Sequence, residues 1–207
     1  MPKNGAPTRT RILDAAEALV IDHGYAATSV DDVIAASASS KGAFFHHFAS
    51  KQALADALVE RYVAADLEML DSGLAAARAA GPDPAVRAVA FLDHFVGLAD
   101  GLMGEQSGCL YAAVLTERQL LTSQTSAPIA TAIRAWRDGF AALLREALPA
   151  GSPIDVDDLA DHVFVTFEGA FLLARSTEDP SHLRRQLGVL RALVETALAA
   201  GPQEERR

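Results

Sequence analysis

Ser29-Val30-Asp31-Asp32-Val33-Ile34-Ala35-Ala36-Ser37-Ala38-Ser39-Ser40-Lys41-Gly42-Ala43-Phe44-Phe45-His46-His47-Phe48 is the stretch that decides how this chain folds. Ser29 occupies an N-cap position, where a hydroxyl can accept an unpaired backbone N–H, and Asp31 and Asp32 fall in the first turn, where the helix dipole favours anions. That helix lasts only two turns, because Ser37-Ala38-Ser39-Ser40 interrupts it. A second short helix runs from Ser40 to about His47, and Phe48-Ala49-Ser50 breaks the chain again. Two short helices joined by a tight turn make a helix-turn-helix outline.

Outward from that stretch the chain reads as helix throughout, with alanine and leucine dominant and apolar residues recurring at three- and four-residue spacing. A helix from about Thr8 to His23 precedes it, with Ile12, Ala15, Ala16, Leu19 and Val20 as one stripe and Gly24 as its C-terminal cap. A long helix follows, capped by Ser50 and running from Lys51 towards Ala80. Gly81-Pro82-Asp83-Pro84 is the clearest break. Beyond it come a helix from Ala85 to about Leu102, a Gly-rich break from Gly101 to Gly108, and a helix from Cys109 to about Leu121. Ser126-Ala127-Pro128 opens a helix ending near Leu148, with Pro128 at an early position. After a loop at Pro149–Pro153, two helices span Asp155 to about Arg175 and Ser181 to about Ala200. The expected fold is therefore all-α with about nine helices. A three-helix helix-turn-helix domain is expected over residues 6–66, its motif at 29–48, and a larger helical domain over 67–207. The polar tail, Gln203 to Arg207, is expected to fray.

Composition excludes several classes. Half of the 207 residues are hydrophobic and 22% are charged, a globular balance. No run of 18 apolar residues exists, so no membrane partner is expected. The first apolar segment, Ile12 to Ile21, carries Asp14 and Glu17 and does not read as a secretory signal. The single cysteine, Cys109, excludes a disulfide framework, and a cytoplasmic location is expected. Catalysis is not expected: there is no phosphate loop, nucleophile elbow or His-Glu-x-x-His run. His46 and His47 project about 100° apart on a helix, a poor metal pair, and Asp161 and His162 are mere sequence neighbours. No cofactor and no metal is expected. The net charge of −9 argues at first against nucleic acid. Its distribution argues otherwise: up to residue 51, Lys3, Arg9, Arg11, Lys41 and Lys51 balance Asp14, Glu17, Asp22, Asp31 and Asp32, so the remainder carries the whole deficit.

The second short helix of the motif has the chemistry of a nucleic-acid probe. Ser39 and Ser40 supply hydroxyls, Lys41 a cation, Gly42 close backbone approach, and His46 and His47 imidazoles. A solvated polar helix is the competing reading. Residues 8–54 resemble the TetR family of bacterial transcription regulators, through Thr8-Arg9…Ile12-Leu13-Asp14-Ala15-Ala16…Leu19, Gly24-Tyr25…Thr28-Ser29-Val30 and Ser40-Lys41-Gly42-Ala43-Phe44-Phe45-His46-His47-Phe48…Lys51. The resemblance implies that the helix after Ser39 reads DNA. It implies that Thr28 and Lys51 hold phosphates, that Lys41 and Phe44 lie near the groove, and that His46 and His47 approach the backbone. Arg9, Ser29, Ser39, Ser40, Gly42 and Phe45 complete the expected DNA-contacting set. Three positions depart from the family pattern: Ala38 replaces the usual turn glycine, Ser39 the usual apolar turn residue, and Phe45 the usual tyrosine. A left-handed backbone at Ala38 would cost energy.

A single motif reads about half a site, so a homodimer on a palindromic double-stranded operator is expected. Val163 to Ala174 contains one charge, Glu168, and is expected to be covered on both faces. The last helix offers Leu183, Leu187, Leu190, Leu193, Val194 and Leu198 on one side. Burying both helices against their symmetry mates gives a four-helix bundle. Phe91, Phe95, Tyr111, Trp136, Phe140, Phe164, Phe167 and Phe171, with His94 and Glu168 among them, are either plain core or the pocket of a small apolar or aromatic effector. Cys109 joins that set as a helix-start thiol that could sense electrophiles. The resulting expectation is a repressor released by a ligand. The alternative is an all-α small-molecule-binding protein with weakened DNA binding.

Overall fold

A computed structural model describes residues 6–105 and 108–199; the expected frayed tail at Gln203–Arg207 lies outside them. Among the described residues there are nine α-helices and one short 3-10 helix: α1 (Ala6–His23), α2 (Val30–Ala36), α3 (Lys41–His47), α4 (Lys51–Ala79), α5 (Pro84–Glu105), α6 (Leu110–Leu115), the 3-10 turn Arg118–Leu120, α7 (Ser123–Ala147), α8 (Val156–Thr177) and α9 (His182–Ala199). The all-α expectation holds.

Two compact units result, one taking residues 6–65 and 108–131, the other 66–105 and 132–199. In the first, three successive helices begin on serines. Ser29 and Asp32 form a reciprocal capping box: Ser29 Oγ accepts from Asp32 N at 3.1 Å, and Asp32 Oδ2 accepts from Ser29 N at 2.8 Å. Ser40 Oγ accepts from Ala43 N at 3.1 Å and Ser50 Oγ from Ala53 N at 3.0 Å. These caps satisfy N–H donors that have no partner within the helices themselves. Gly24 ends α1 with φ +84°, a left-handed conformation cheap only for glycine. The core of this unit packs α1 against α2, α3 and α6, with Ile12, Leu13, Ala16, Val33, Phe44 and Phe48 buried.

The second unit closes around Phe91, Leu92, Phe95, Phe140, Leu144, Leu183 and Leu187, all fully buried, with α9 against α5 and α8. Arg191 bridges from α9 to Asp93 on α5, and Arg145 from α7 to Asp157 on α8. Asp155 caps α8 by accepting from Asp157 N and Asp158 N at 2.9 and 3.0 Å.

Four details differ from the sequence reading. The helix α5 runs through Gly101 to Glu105, so glycines there punctuate later than expected. α6 stops at Leu115 rather than near Leu121: Glu117 N donates to Val114 O at 3.1 Å, three residues back, and the chain tightens into the 3-10 turn. α7 begins three residues early, at Ser123, which places Pro128 inside the helix; Ser126 Oγ donates to Thr122 O at 2.6 Å in that first turn. Finally, Leu183, Leu187, Leu190 and Val194 are buried within the chain, whereas Leu193, read as sharing their side, is 58% exposed, and Val189 is exposed too. On α8, Val165, Leu172 and Leu173 are exposed in the single chain, where the expected second cover is a symmetry mate.

Candidate functional site

α3 carries the surface on which the sequence argument turned. Its orientation is set by Phe44, which is 0% exposed and lies 5.8 Å from the ring of Phe48, itself buried. Phe44 is therefore core, and the expectation that it lies near a groove is corrected: a ring that anchors α3 cannot also face outward. Phe45, one residue on, is 48% exposed. Lys41, Gly42 and His46 are exposed with it, and His47 is half-buried, its ring 5.0 Å from that of His46. A Cβ added at Gly42 would meet only Ser40 Oγ, at 4.0 Å, so the backbone lies bare on that face. Lys41 Nζ is 3.9 Å from Asp31 of α2, with both side chains exposed, a weak surface pair that a phosphate can replace. Arg9 is exposed on α1, its guanidinium 5.4 Å from the Phe48 ring centre.

The turn between α2 and α3 is left-handed at Ala38, with φ 48°, the conformation expected of a glycine there. Ser39 is half-buried, and its hydroxyl lies 2.9 Å from that of buried Ser37, which also donates to Val33 O at 2.7 Å. A polar contact thus replaces the apolar one at this turn.

Two residues that the resemblance assigns to phosphates are occupied internally. Thr28 is buried, its hydroxyl donating to Gly24 O at 2.9 Å. Lys51 Nζ donates to Tyr25 O at 2.6 Å and rests 3.9 Å above the Tyr25 ring. Partial burial pushes the Lys51 pKa below the usual lysine value, while Glu117 pulls it back up. Ser29 is exposed at its cap.

Sequence reasoning missed the residues that hold this surface in place. Arg61 of α4 reaches two carboxylates of α1, Asp14 and Glu17, each at 2.6 Å. Glu117 accepts from Ala26 N at 3.3 Å in the turn after α1. The i, i+3 spacing of Asp14 and Glu17 was a legible hint of a bidentate partner; Glu117 lies 91 residues from its target and left no local signal.

The expected effector residues divide between the units. In the second unit, Phe91, Phe95, Trp136, Phe140 and Phe167 form one ring cluster, with Phe91 stacked on Phe140 at 4.8 Å. His94 lies edge-on to Phe95, and its Nε2 is 2.9 Å from Ser72 Oγ, a partner not anticipated. Phe164, Glu168 and Phe171 lie on α8, with Phe171 buried and the other two half-buried. Cys109 and Tyr111 belong to the first unit, where Tyr62 Oη is 3.7 Å from Cys109 Sγ and the Tyr62 and Tyr111 rings meet edge-on at 5.0 Å. Cys109 is the N-cap of α6 and makes no side-chain cap hydrogen bond. Among the described residues, no group of three or more His, Cys, Asp or Glu side chains could hold a metal ion, and no helix is long and apolar enough to cross a membrane.

With this geometry in place, two family models match the chain: "Bacterial regulatory proteins, tetR family" over residues 12–58, and "Tetracyclin repressor-like, C-terminal domain" over residues 84–201. The transcriptional regulator AcuR of Cereibacter sphaeroides is 29% identical over 169 residues, covering 78% of this chain and 74% of AcuR. The transcriptional repressor DhaR of Mycobacterium sp. strain GP1 is 25% identical, covering 80% and 81%. Among solved structures, a TetR transcriptional regulator from Chloroflexus aurantiacus superposes with a TM-score of 0.74 at 27% identity, covering 93% of this chain and 96% of that one. A regulatory protein TetR from Rhodobacter sphaeroides superposes with a TM-score of 0.72 at 26% identity, covering 88% and 96%. Helix order, helix-turn-helix and both family matches agree: the chain belongs to the TetR family of bacterial transcriptional regulators, which bind operator DNA and form dimers.

Proposed function

We propose that the chain is a homodimeric repressor, released from a palindromic operator when a small apolar or aromatic ligand enters its C-terminal domain. The carrying observation is the division of α3: Phe44 faces the core while Lys41, Gly42, Phe45 and His46 face out. In this reading residues 6–66 are the DNA-binding domain. Lys41, Ser40, His46, His47 and Arg9 meet phosphates, Phe45 and the bare backbone at Gly42 approach base edges, and Ser39 and Ser29 flank the contact. Thr28 and Lys51 act from behind, fixing the turn on which α2 is mounted.

Residues 67–207 are the effector and dimerisation domain. The exposed apolar residues Leu172, 68% exposed, and Leu193, with Val165, Leu173 and Val189, supply a face on α8 and α9 for pairing with a second copy. The DhaR relative is named a repressor, which favours repression over activation. Coupling follows α4, one unbroken helix from Lys51 beside the DNA-contacting surface to Ala79 in the other unit. The ligand must favour the DNA-incompetent arrangement, or it shifts nothing.

The test is binding to duplexes selected from a random pool. Specific binding to palindromes is expected, with log affinity falling linearly as log salt rises. Absence of specific binding at low salt sinks the reading in favour of an all-α ligand-binding protein.

A further inference from the structure

We infer that the second unit takes a neutral aromatic molecule bearing a carbonyl group, whose oxygen accepts a hydrogen bond from Trp136 Nε1–H; this rests on reading that unit as the effector-binding domain. Trp136 is 7% exposed, and its indole nitrogen is buried with no hydrogen-bond partner among the described residues. A buried N–H without an acceptor is both uncommon and costly. Its ring neighbours are Phe95 at 5.1 Å, Phe167 at 6.1 Å and Phe91 at 6.2 Å, all hydrocarbon.

The packing dictates how a ligand enters. Phe91 and Phe95 are fully buried, and a Cβ at Gly73 would come within 2.6 Å of the Phe95 ring, so these two rings have no room to give. Phe167 is half-buried and meets both Phe95 and Trp136 edge-on. Displacing Phe167 opens the Trp136 edge, and an incoming aromatic ring replaces the contacts that Phe167 gives up. His94, edge-on to Phe95, is held by Ser72 at 2.9 Å.

The same surroundings set the ligand's charge. The rings that meet Trp136, those of Phe91, Phe95 and Phe167, carry no charge, and the guanidinium of Arg137, the next residue, already faces the carboxylates of Asp138 and Asp161 at 3.6 and 3.8 Å, its own buried Nε making no hydrogen bond among the described residues. A carboxylate would surrender its hydration for one neutral donor and lose by the exchange. A ketone or amide oxygen surrenders far less and satisfies the orphaned N–H. The open state therefore gains a hydrogen bond that the closed state lacks, which is the differential interaction a switch requires.

The chain has one tryptophan, so its indole N–H gives a single side-chain cross-peak in a proton–nitrogen correlation spectrum. The probes are acetophenone and ethylbenzene, matched in size and differing in the acceptor, titrated into the full-length protein. Acetophenone is expected to bind about tenfold tighter or more and to move the indole proton downfield, which ethylbenzene does not do. Trp136→Phe keeps a ring in place and is expected to bind the two probes within about twofold of one another. Equal affinities in the unaltered protein, an unmoved indole proton with acetophenone bound, or failure of both probes to bind at millimolar concentration each overturns the inference. Should the variant not fold, the wild-type cross-peak decides alone. Operator binding, measured separately, distinguishes the two levels: if a selected duplex binds but acetophenone does not, only this inference falls. If no duplex binds, the regulator reading falls whatever acetophenone does.

Discussion

The ammonium of Lys51 is held by Tyr25 twice, through the backbone carbonyl at 2.6 Å and over the ring at 3.9 Å. One residue thereby fastens the start of α4 to the turn between α1 and α2. A lysine held in this way positions its neighbours, whereas Lys41 has only a weak exposed carboxylate partner. The two lysines should therefore separate in a salt titration. Lys41→Ala should weaken DNA binding across all sequences and lower the slope of log affinity against log salt by about one contact. Lys51→Ala should cost stability, on the order of 1 kcal/mol given its partial exposure, and weaken binding while leaving the slope unchanged. Equal slope changes for both would return Lys51 to the phosphate-contacting set.

Phe44 and Phe45 are adjacent in sequence and opposite in role. Phe44 is fully buried at the centre of the three-helix core, so Phe44→Ala should destabilise the protein by about 3–5 kcal/mol. Phe45→Ala removes a ring that is already half in water and should change stability by less than about 1 kcal/mol. It should nonetheless reduce affinity for the selected duplex. Urea denaturation and duplex binding, run on both variants, check the pair; normal DNA affinity in Phe45→Ala would remove that ring from the interface.

Ala38 sits at φ 48°, where a Cβ crowds the following carbonyl. Ala38→Gly relieves that contact and gives back part of the gain through a more flexible unfolded chain. The net expectation is a stabilisation of about 0.5–1 kcal/mol, read as a rise in the midpoint of thermal unfolding. A fall would mean that the left-handed turn is set by the chain around it at no cost to Ala38. Because the same turn sets the angle between α2 and α3, operator affinity should hold or improve in this variant.

Local signals carried the legible part of the fold. Ser29, Ser40 and Ser50 each announced a helix start, Gly24 announced a stop, and all four act as read. The boundaries that failed lie on either side of the 3-10 turn, where backbone bonds to carbonyls two and three residues back replace the helical pattern and periodicity does not mark the change. The outward face of α3 was legible as a set of residue types, yet which of Phe44 and Phe45 faces inward was not. Adjacent aromatics on a two-turn helix give periodicity too few points to choose between them. The inward engagement of Thr28 and Lys51, and the anchoring by Arg61 and Glu117, depend on partners up to 91 residues away and belong to packing rather than pattern. Leu193 stands apart from the buried stripe of α9, because six apolar residues cover more of that helix than one stripe can hold.

The capping box at the start of α2 should make one component of stability pH-dependent in a defined window. Hydrogen bonds from the Ser29 hydroxyl, and then from the Ser29 backbone N–H, lower the pKa of Asp32 below its ordinary 3.8, with His23 adding to the effect and desolvation opposing it. A carboxylate whose folded-state pKa is depressed stabilises the fold fully above the unfolded value, and that contribution disappears as pH falls through the folded value. Asp32→Asn is the shape of the protonated acid without the charge, so it should be less stable than the parent at pH 7 and at pH 5. The gap should narrow only as pH drops below about 4 and should close once the parent's Asp32 is protonated. Paired urea midpoints across that range measure it. A gap that closes near neutral pH would assign the effect to a histidine, and one that survives into strong acid would show that the asparagine harms the helix by some means other than lost charge.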